Sequence, residues 1–268
     1  MLPLYRKKLF LFDMDGTLWL GDRLFDGTRE LLSRIRNMGA SYLFVTNNSS
    51  TSAAGYVKKL ARLGIASVRG DFLTSTYATS LYIKKNCPDK TFFAVGTPDF
   101  ISEMREYGIS VTEEITDSTD GVILSNDTTI NFHKLECACA LLRRGVTYIA
   151  TNPDWVCPAE GGYLPDCGSF AFLLEKATGR TPVFIGKPNP DMLTLAIARA
   201  GVTPEEAVMV GDRMYTDVAS GVRAGIDTVF VLSGEGTVQD AEASDMKPTY
   251  IMKDIKELSR RLCEGATE

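Results

Sequence analysis

Apolar residues along the chain come in short unbroken runs, separated by longer stretches whose apolar positions recur every three or four residues. Runs at residues 8–12, 41–45, 91–95, 121–124, 147–150, 182–185, 207–210 and 228–231 lack polar alternation, as strands buried on both faces do. Stretches at 28–38, 52–63, 72–85, 99–107, 132–144, 169–177, 190–200 and 215–224 are predicted helices. Gly39, Gly64, Gly145 and Gly179 follow four of them, where a left-handed residue commonly closes a helix. A last strand and a last helix are predicted at 249–252 and 255–263. This alternation predicts an α/β fold of parallel sheets covered by helices. Residues 152–168 break the rhythm. Pro153, Pro158, Pro165, Gly161, Gly162 and Gly168 predict a long loop, and loops of that length usually serve function.

At 268 residues the chain holds one large domain or two smaller ones. Its 29 Lys and Arg against 34 Asp and Glu give a net charge of −5, which excludes an extended electrostatic grip on nucleic acid. A local positive site for a phosphorylated small molecule remains open. No run approaches the ~20 apolar residues that span a bilayer. Arg6, Lys7 and Lys8 precede only four apolar residues before Asp13, too few for a signal peptide, so a cytoplasmic protein without a membrane partner is expected. The six cysteines form no dense disulfide framework. Cys137 and Cys139 have no second pair, and with His133 the one histidine, no zinc site is expected.

Four motifs follow predicted strands. Asp13-Met14-Asp15-Gly16-Thr17 follows the first, where open α/β sheets bind ligands. Residues two apart in an extended chain project to the same side, so one carboxylate can attack while the other handles protons; a simple Asp-stabilised turn is the other reading. Thr46-Asn47-Asn48 offers a hydroxyl and amides to an anion, or else a helix cap. Gly186-Lys187-Pro188 offers a cation at a strand end, or a solvated lysine, and lacks the spacing of a P-loop. Gly211-Asp212, with Asp217 five residues on, adds two carboxylates, or an acidic helix start. Asp13, Asp212 and a backbone carbonyl near Asp15 suit Mg²⁺, which prefers oxygen ligands and keeps several waters. Each motif has an ordinary explanation; all four, in this order and each after a strand, do not.

The set Asp13-Met14-Asp15-Gly16-Thr17, Thr46, Lys187 and Gly211-Asp212…Asp217 resembles the four motifs of the haloacid dehalogenase-like superfamily. Thr46-Asn47-Asn48, Gly186-Lys187-Pro188 and Ala150-Thr151-Asn152-Pro153-Asp154 resemble its NagD-like, 4-nitrophenylphosphatase-type branch. The resemblance implies a Rossmann-like parallel-sheet core over residues 1–81 and 181–268, with a smaller α/β cap inserted over 82–180. It implies Asp13 as nucleophile, Asp15 as general acid and base, and Thr46 and Lys187 (with Asn47 and Asn48 beside them) as phosphate holders. Asp13, Asp212 and the Asp15 carbonyl would bind Mg²⁺, supported by Asp217. The implied activity is Mg²⁺-dependent hydrolysis of a small phosphorylated metabolite such as a nucleotide monophosphate, sugar phosphate or glycerol phosphate. A phosphotransferase or mutase, or a non-enzymatic phosphate-sensing protein, are the alternatives. Asp15 favours hydrolysis, because an acid there can protonate a leaving alcohol. Assembly into a homo-oligomer through the cap is left open. Val156, Cys157 and Pro158 are the expected specificity residues. Asp166 departs from the glycine-rich pattern of many relatives.

Overall fold

The computed structural model describes residues 2–159 and 161–264; the expected core ranges also include residues 1 and 265–268, which lie outside the described residues. Six parallel strands form the main sheet, in the order Tyr250–Met252, Asp227–Val231, Ala207–Gly211, Leu9–Phe12, Ser41–Thr46, Phe72–Thr74. The reason for the unbroken apolar runs is visible in Leu9–Phe12. Leu9 and Leu11 pack on one face of the sheet and Phe10 and Phe12 on the other, and all four are fully buried. Helices Thr28–Asn37, Ala53–Arg62 and Ile255–Glu264 cover the phenylalanine face, and Asp191–Ala200 covers the leucine face. In Thr28–Asn37 the buried residues Thr28, Leu31, Leu32 and Ile35 fall at spacings of three and four, which puts them on one stripe.

A second sheet of five parallel strands has the order Val183–Phe184, Thr147–Ala150, Thr119–Leu124, Thr91–Val95, Ser110–Thr112. Helices Phe132–Arg143 and Cys167–Thr178 cover one face, and Pro98–Glu106 the other. Helix Ser75–Asn86 joins the two sheets. Its Tyr77 packs on the first and its Ile83 on the second, with Ala78 touching both. Val183–Phe184 lies past the expected boundary at 180 yet pairs with Thr147–Ala150, so the chain leaves the second sheet only after Phe184.

Several elements differ from those predicted. The helix expected over 72–85 begins as the edge strand Phe72–Thr74, in register with Phe44–Thr46; Thr74 then caps the helix by accepting the Tyr77 N–H. Three residues, Phe72, Leu73 and Thr74, are too few to carry a periodicity that could separate the two states. The loop expected over 152–168 contains an antiparallel hairpin, Val156–Ala159 against Gly162–Pro165, with Gly161 in its turn and Gly162 at the start of its second strand, both at positive φ. Its strands are too exposed to show as an apolar run. The helix expected over 215–224 is a wide π-turn, Met214–Val218, followed by one α-turn, Ala219–Arg223. The ribbon Trp19–Leu20/Arg23–Leu24, the edge strand Ser110–Thr112 and helix Val238–Ala243 were too short to register. No helix among the described residues is long and apolar enough to cross a membrane.

Candidate active site

Leu9–Phe12 lies between Ser41–Thr46 and Ala207–Gly211, and the chain departs in opposite directions on its two sides. At such a switch point the carboxyl ends of the strands open a crevice. Asp13 leaves the first of these strands, Thr46 ends the second and Asp212 follows the third. Lys187 enters from the segment returning from the second sheet. Its ammonium donates to Asp13 Oδ1 at 2.7 Å, to Asp217 Oδ1 at 2.6 Å and to the Val45 carbonyl at 3.0 Å. Carboxylate oxygens of Asp13, Asp212 and Asp217 all lie within 4.8 Å of one another. Burial, and then repulsion from Asp217 and Asp212, hold the Asp13 carboxyl well above its usual range even against the pull of Lys187. Burial and Asp217 push Asp212 up to about 7. Lys187 itself is pushed up, because the attraction of Asp13 and Asp217 outweighs its burial.

The approach of Asp212 depends on bare backbone. Gly16 has φ +89°, and a Cβ on it or on Gly234 would run into the Asp212 carboxylate. Asp212 accepts the Glu235 N–H at 2.8 Å and the Thr17 hydroxyl at 3.2 Å. Asp15 is held separately: the Trp19 indole N–H donates to Oδ1 at 2.8 Å, with the Lys59 ammonium 3.9 Å away. Burial still raises the Asp15 carboxyl above its usual range.

Asp13, Asp15, Thr46, Asn47, Asn48, Cys157, Pro158 and Lys187 line one cavity of about 30 Å³, together with Asp154, Asp166, Arg213 and Thr216. Of the residues expected to hold phosphate, Thr46 accepts the Asn48 N–H at 3.1 Å. The Asn47 amide acts as a joint. It donates to Asp154 Oδ1 at 3.0 Å and to the Lys187 carbonyl at 2.9 Å, and accepts the Lys187 N–H at 2.8 Å. Asn48 reaches the Cys157 sulfur at 3.8 Å. Val156 contributes its carbonyl, which accepts from Arg213 at 3.1 Å, rather than a cavity-lining side chain. Arg213 and Thr216 were not singled out in the sequence, although they adjoin Asp212 and Asp217 and so share their strand end. Arg213 pairs with Asp154 at 3.0 Å and with Glu235 at 2.8 Å, tying the two sheets' loops together.

A family model described as haloacid dehalogenase-like hydrolase matches residues 10–110, and an HAD-hydrolase-like model matches residues 184–258. The acid sugar phosphatase of Staphylococcus aureus is 33% identical over 250 residues, covering 93% of this chain and 96% of that protein. The chain belongs to the haloacid dehalogenase-like hydrolases. Among solved structures, 4-nitrophenylphosphatase from Thermotoga maritima superposes with a TM-score of 0.89 at 40% identity, over 96% of this chain and 98% of that one. Glycerol phosphate phosphatase from Mycobacterium tuberculosis, in complex with magnesium, gives 0.88 at 32% identity over 98% of this chain and 78% of that one. Within the family the chain is a NagD-like phosphatase.

Proposed function

We propose that this phosphatase hydrolyses small phosphorylated metabolites, sugar or glycerol phosphates foremost, through an aspartyl-phosphate on Asp13 and with Mg²⁺ as cofactor. The substrate class rests on what the similar proteins are called: an acid sugar phosphatase and a glycerol phosphate phosphatase. The observation that carries the chemistry is the Lys187 ammonium held between Asp13 and Asp217, beside Asp212. A carboxylate attacking a phosphate dianion needs positive charge around it, and phosphoryl transfer asks the protein mainly for positioning and charge stabilisation.

Asp13 attacks phosphorus with one carboxylate oxygen, and the bond from phosphorus to the leaving oxygen breaks. Asp15 gives its proton to that oxygen; its raised pKa suits an acid. Asp15 then takes a proton from the water that attacks phosphorus, which frees Asp13 and inorganic phosphate. Lys187 and Thr46 hold the phosphoryl oxygens.

Three carboxylates against one lysine leave the site short of positive charge, and hard oxygen donors packed this closely suit Mg²⁺. Asp13 and Asp212, with the Asp15 main chain and Asp217 beside them, would hold it. When bound, the ion supplies charge neutralisation between the Asp13 carboxylate and the phosphate. We also propose that the second sheet and its helices are the specificity cap expected over 82–180, extended to Phe184 by the last strand of its sheet.

The test is release of 4-nitrophenol from its phosphate ester by the purified chain. Asp13→Asn should lower kcat by about 10³-fold or more, because an amide is a poor nucleophile. Excess chelator should silence the wild type and Mg²⁺ restore it. A variant within tenfold of wild type, or full activity in chelator, would overturn the reading.

A further inference from the structure

The catalytic cavity has two ends. Asp13, Asp15, Thr46 and Lys187 form the end where phosphorus would sit, and Cys157, Pro158, Asp154 and Asp166 come from the second sheet's side. The leaving group of a bound ester would face that second wall. Its two carboxylates differ. Asp154 is neutralised by Arg213 at 3.0 Å and accepts the Asn47 amide on its other oxygen. Asp166 is 3% exposed and has no ion pair of its own among the described residues. Its Oδ1 accepts the Cys167 N–H at 2.6 Å, so it lies on the N-terminus of helix Cys167–Thr178. That positive helix end, which would otherwise attract an anionic leaving group, is already answered by the chain's own carboxylate.

We infer that Asp166 is a specificity-determining residue: it admits leaving groups that are neutral and hydroxyl-bearing and rejects those carrying a carboxylate. Two effects act together. The ionised carboxylate accepts hydrogen bonds from hydroxyls, as it cannot from another carboxylate. It also repels a like charge across a water-poor space, where such repulsion is felt strongly. The inference rests on the phosphatase reading above and adds the class of alcohol that leaves.

Glycerol 3-phosphate and 3-phosphoglycerate are suitable probes, because they have similar length and differ chiefly in a hydroxymethyl against a carboxylate. Assays run at pH 8.5, above the value of about 7 to which burial raises Asp166. The readout is the ratio of kcat/KM for the two esters, in wild type and in Asp166→Asn. Asparagine is as good a helix cap as aspartate, so the fold is kept while the charge goes. Wild type should favour glycerol 3-phosphate, and the variant should move the ratio at least tenfold toward 3-phosphoglycerate. Asp166→Ser, which also caps and is uncharged, should move it the same way if the asparagine variant folds poorly. A ratio unchanged within twofold, or both esters falling equally, would overturn the inference and leave Asp166 a helix cap. If wild type and variants hydrolyse no phosphate ester at all, the phosphatase reading has failed instead.

Discussion

Lys187 is buried and charged, a combination that costs several kcal/mol unless every proton finds an acceptor. An ammonium has three protons, and Asp13, Asp217 and the Val45 carbonyl take one each. This is why a lysine can sit 1% exposed between two sheets. Asp166 has the opposite balance. Burial and the nearby Asp154 push its carboxyl to about 7 from an ordinary 3.8. Between those values the folded protein keeps a proton that the unfolded chain has released. The associated stability is present below about pH 4 and is lost as pH rises toward 7. Asp166→Asn removes that titration and keeps the cap. The melting temperature of the variant, relative to wild type, should therefore climb by several degrees between pH 5 and pH 8. Melting curves at four pH values test this, and a constant difference would show that the Asp166 proton is not coupled to folding.

The hairpin Val156–Ala159/Gly162–Pro165 supplies Cys157 and Pro158 to the cavity wall. Two strands alone are marginally stable in water, so its position must come from its neighbours. Trp155, just before it, packs edge-on against Phe172 with ring centroids 5.7 Å apart, and its carbonyl accepts from the Ser169 hydroxyl at 2.5 Å and from the Asp166 N–H at 3.0 Å. From that footing it turns Cys157 and Pro158 into the cavity. Burial lifts the Cys157 thiol to about 12, so it stands in the cavity wall as a neutral group. Replacing Val156-Cys157-Pro158 with three alanines should reorder kcat/KM among three phosphorylated metabolites by about tenfold, and change acetyl phosphate hydrolysis much less. An equal fall for all four esters would mean that the segment acts only through folding or closure. The π-turn Met214–Val218 does comparable work on the core side. Its wide backbone lets the Arg213 carbonyl accept the Asp217 and Val218 N–H groups at 3.0 and 3.2 Å, while Asp217 faces Lys187.

At the scale of the molecule, the two sheets meet through polar contacts as well as the apolar packing of helix Ser75–Asn86. The Ser49 hydroxyl pairs with that of Thr151 at 2.8 Å and accepts the Asn126 N–H at 2.9 Å; the Thr97 hydroxyl donates to the Ser50 carbonyl at 2.8 Å. Arg213, with Asp154 and the Val156 carbonyl, closes the far side. The cavity between them, about 30 Å³, has room for about one water, and an ester is expected to enter as the hairpin parts from the core. Arg213→Met removes the closing charge and leaves Asp154 buried with the Asn47 amide alone, which disfavours the closed state. Amide exchange of residues 156–165 should then quicken at least tenfold, and kcat should fall about tenfold with a smaller change in KM. Unchanged exchange in a variant of lower kcat would show that Arg213 does not hold the cap down.

The sequence by itself determined the strand–helix alternation, the parallel sheets and which side chains gather beyond the strand ends. Each of these is written locally: an apolar run of four or five residues, a glycine after a helix, a carboxylate just past a strand. Asp13, Thr46, Lys187 and Asp212 were legible because a strand end fixes where the next side chain points. Tertiary structure decided the rest. Asn47 also joins loops, a role its motif does not show, since its partners Asp154 and Lys187 are 107 and 140 residues away. Phe72–Thr74 became a strand because Phe44–Thr46 was there to pair with it. Arg213 gained its place only when Asp154, 59 residues away in sequence, was brought opposite it by the second sheet. Contacts across such distances leave no periodicity in the chain, and only folding supplies them.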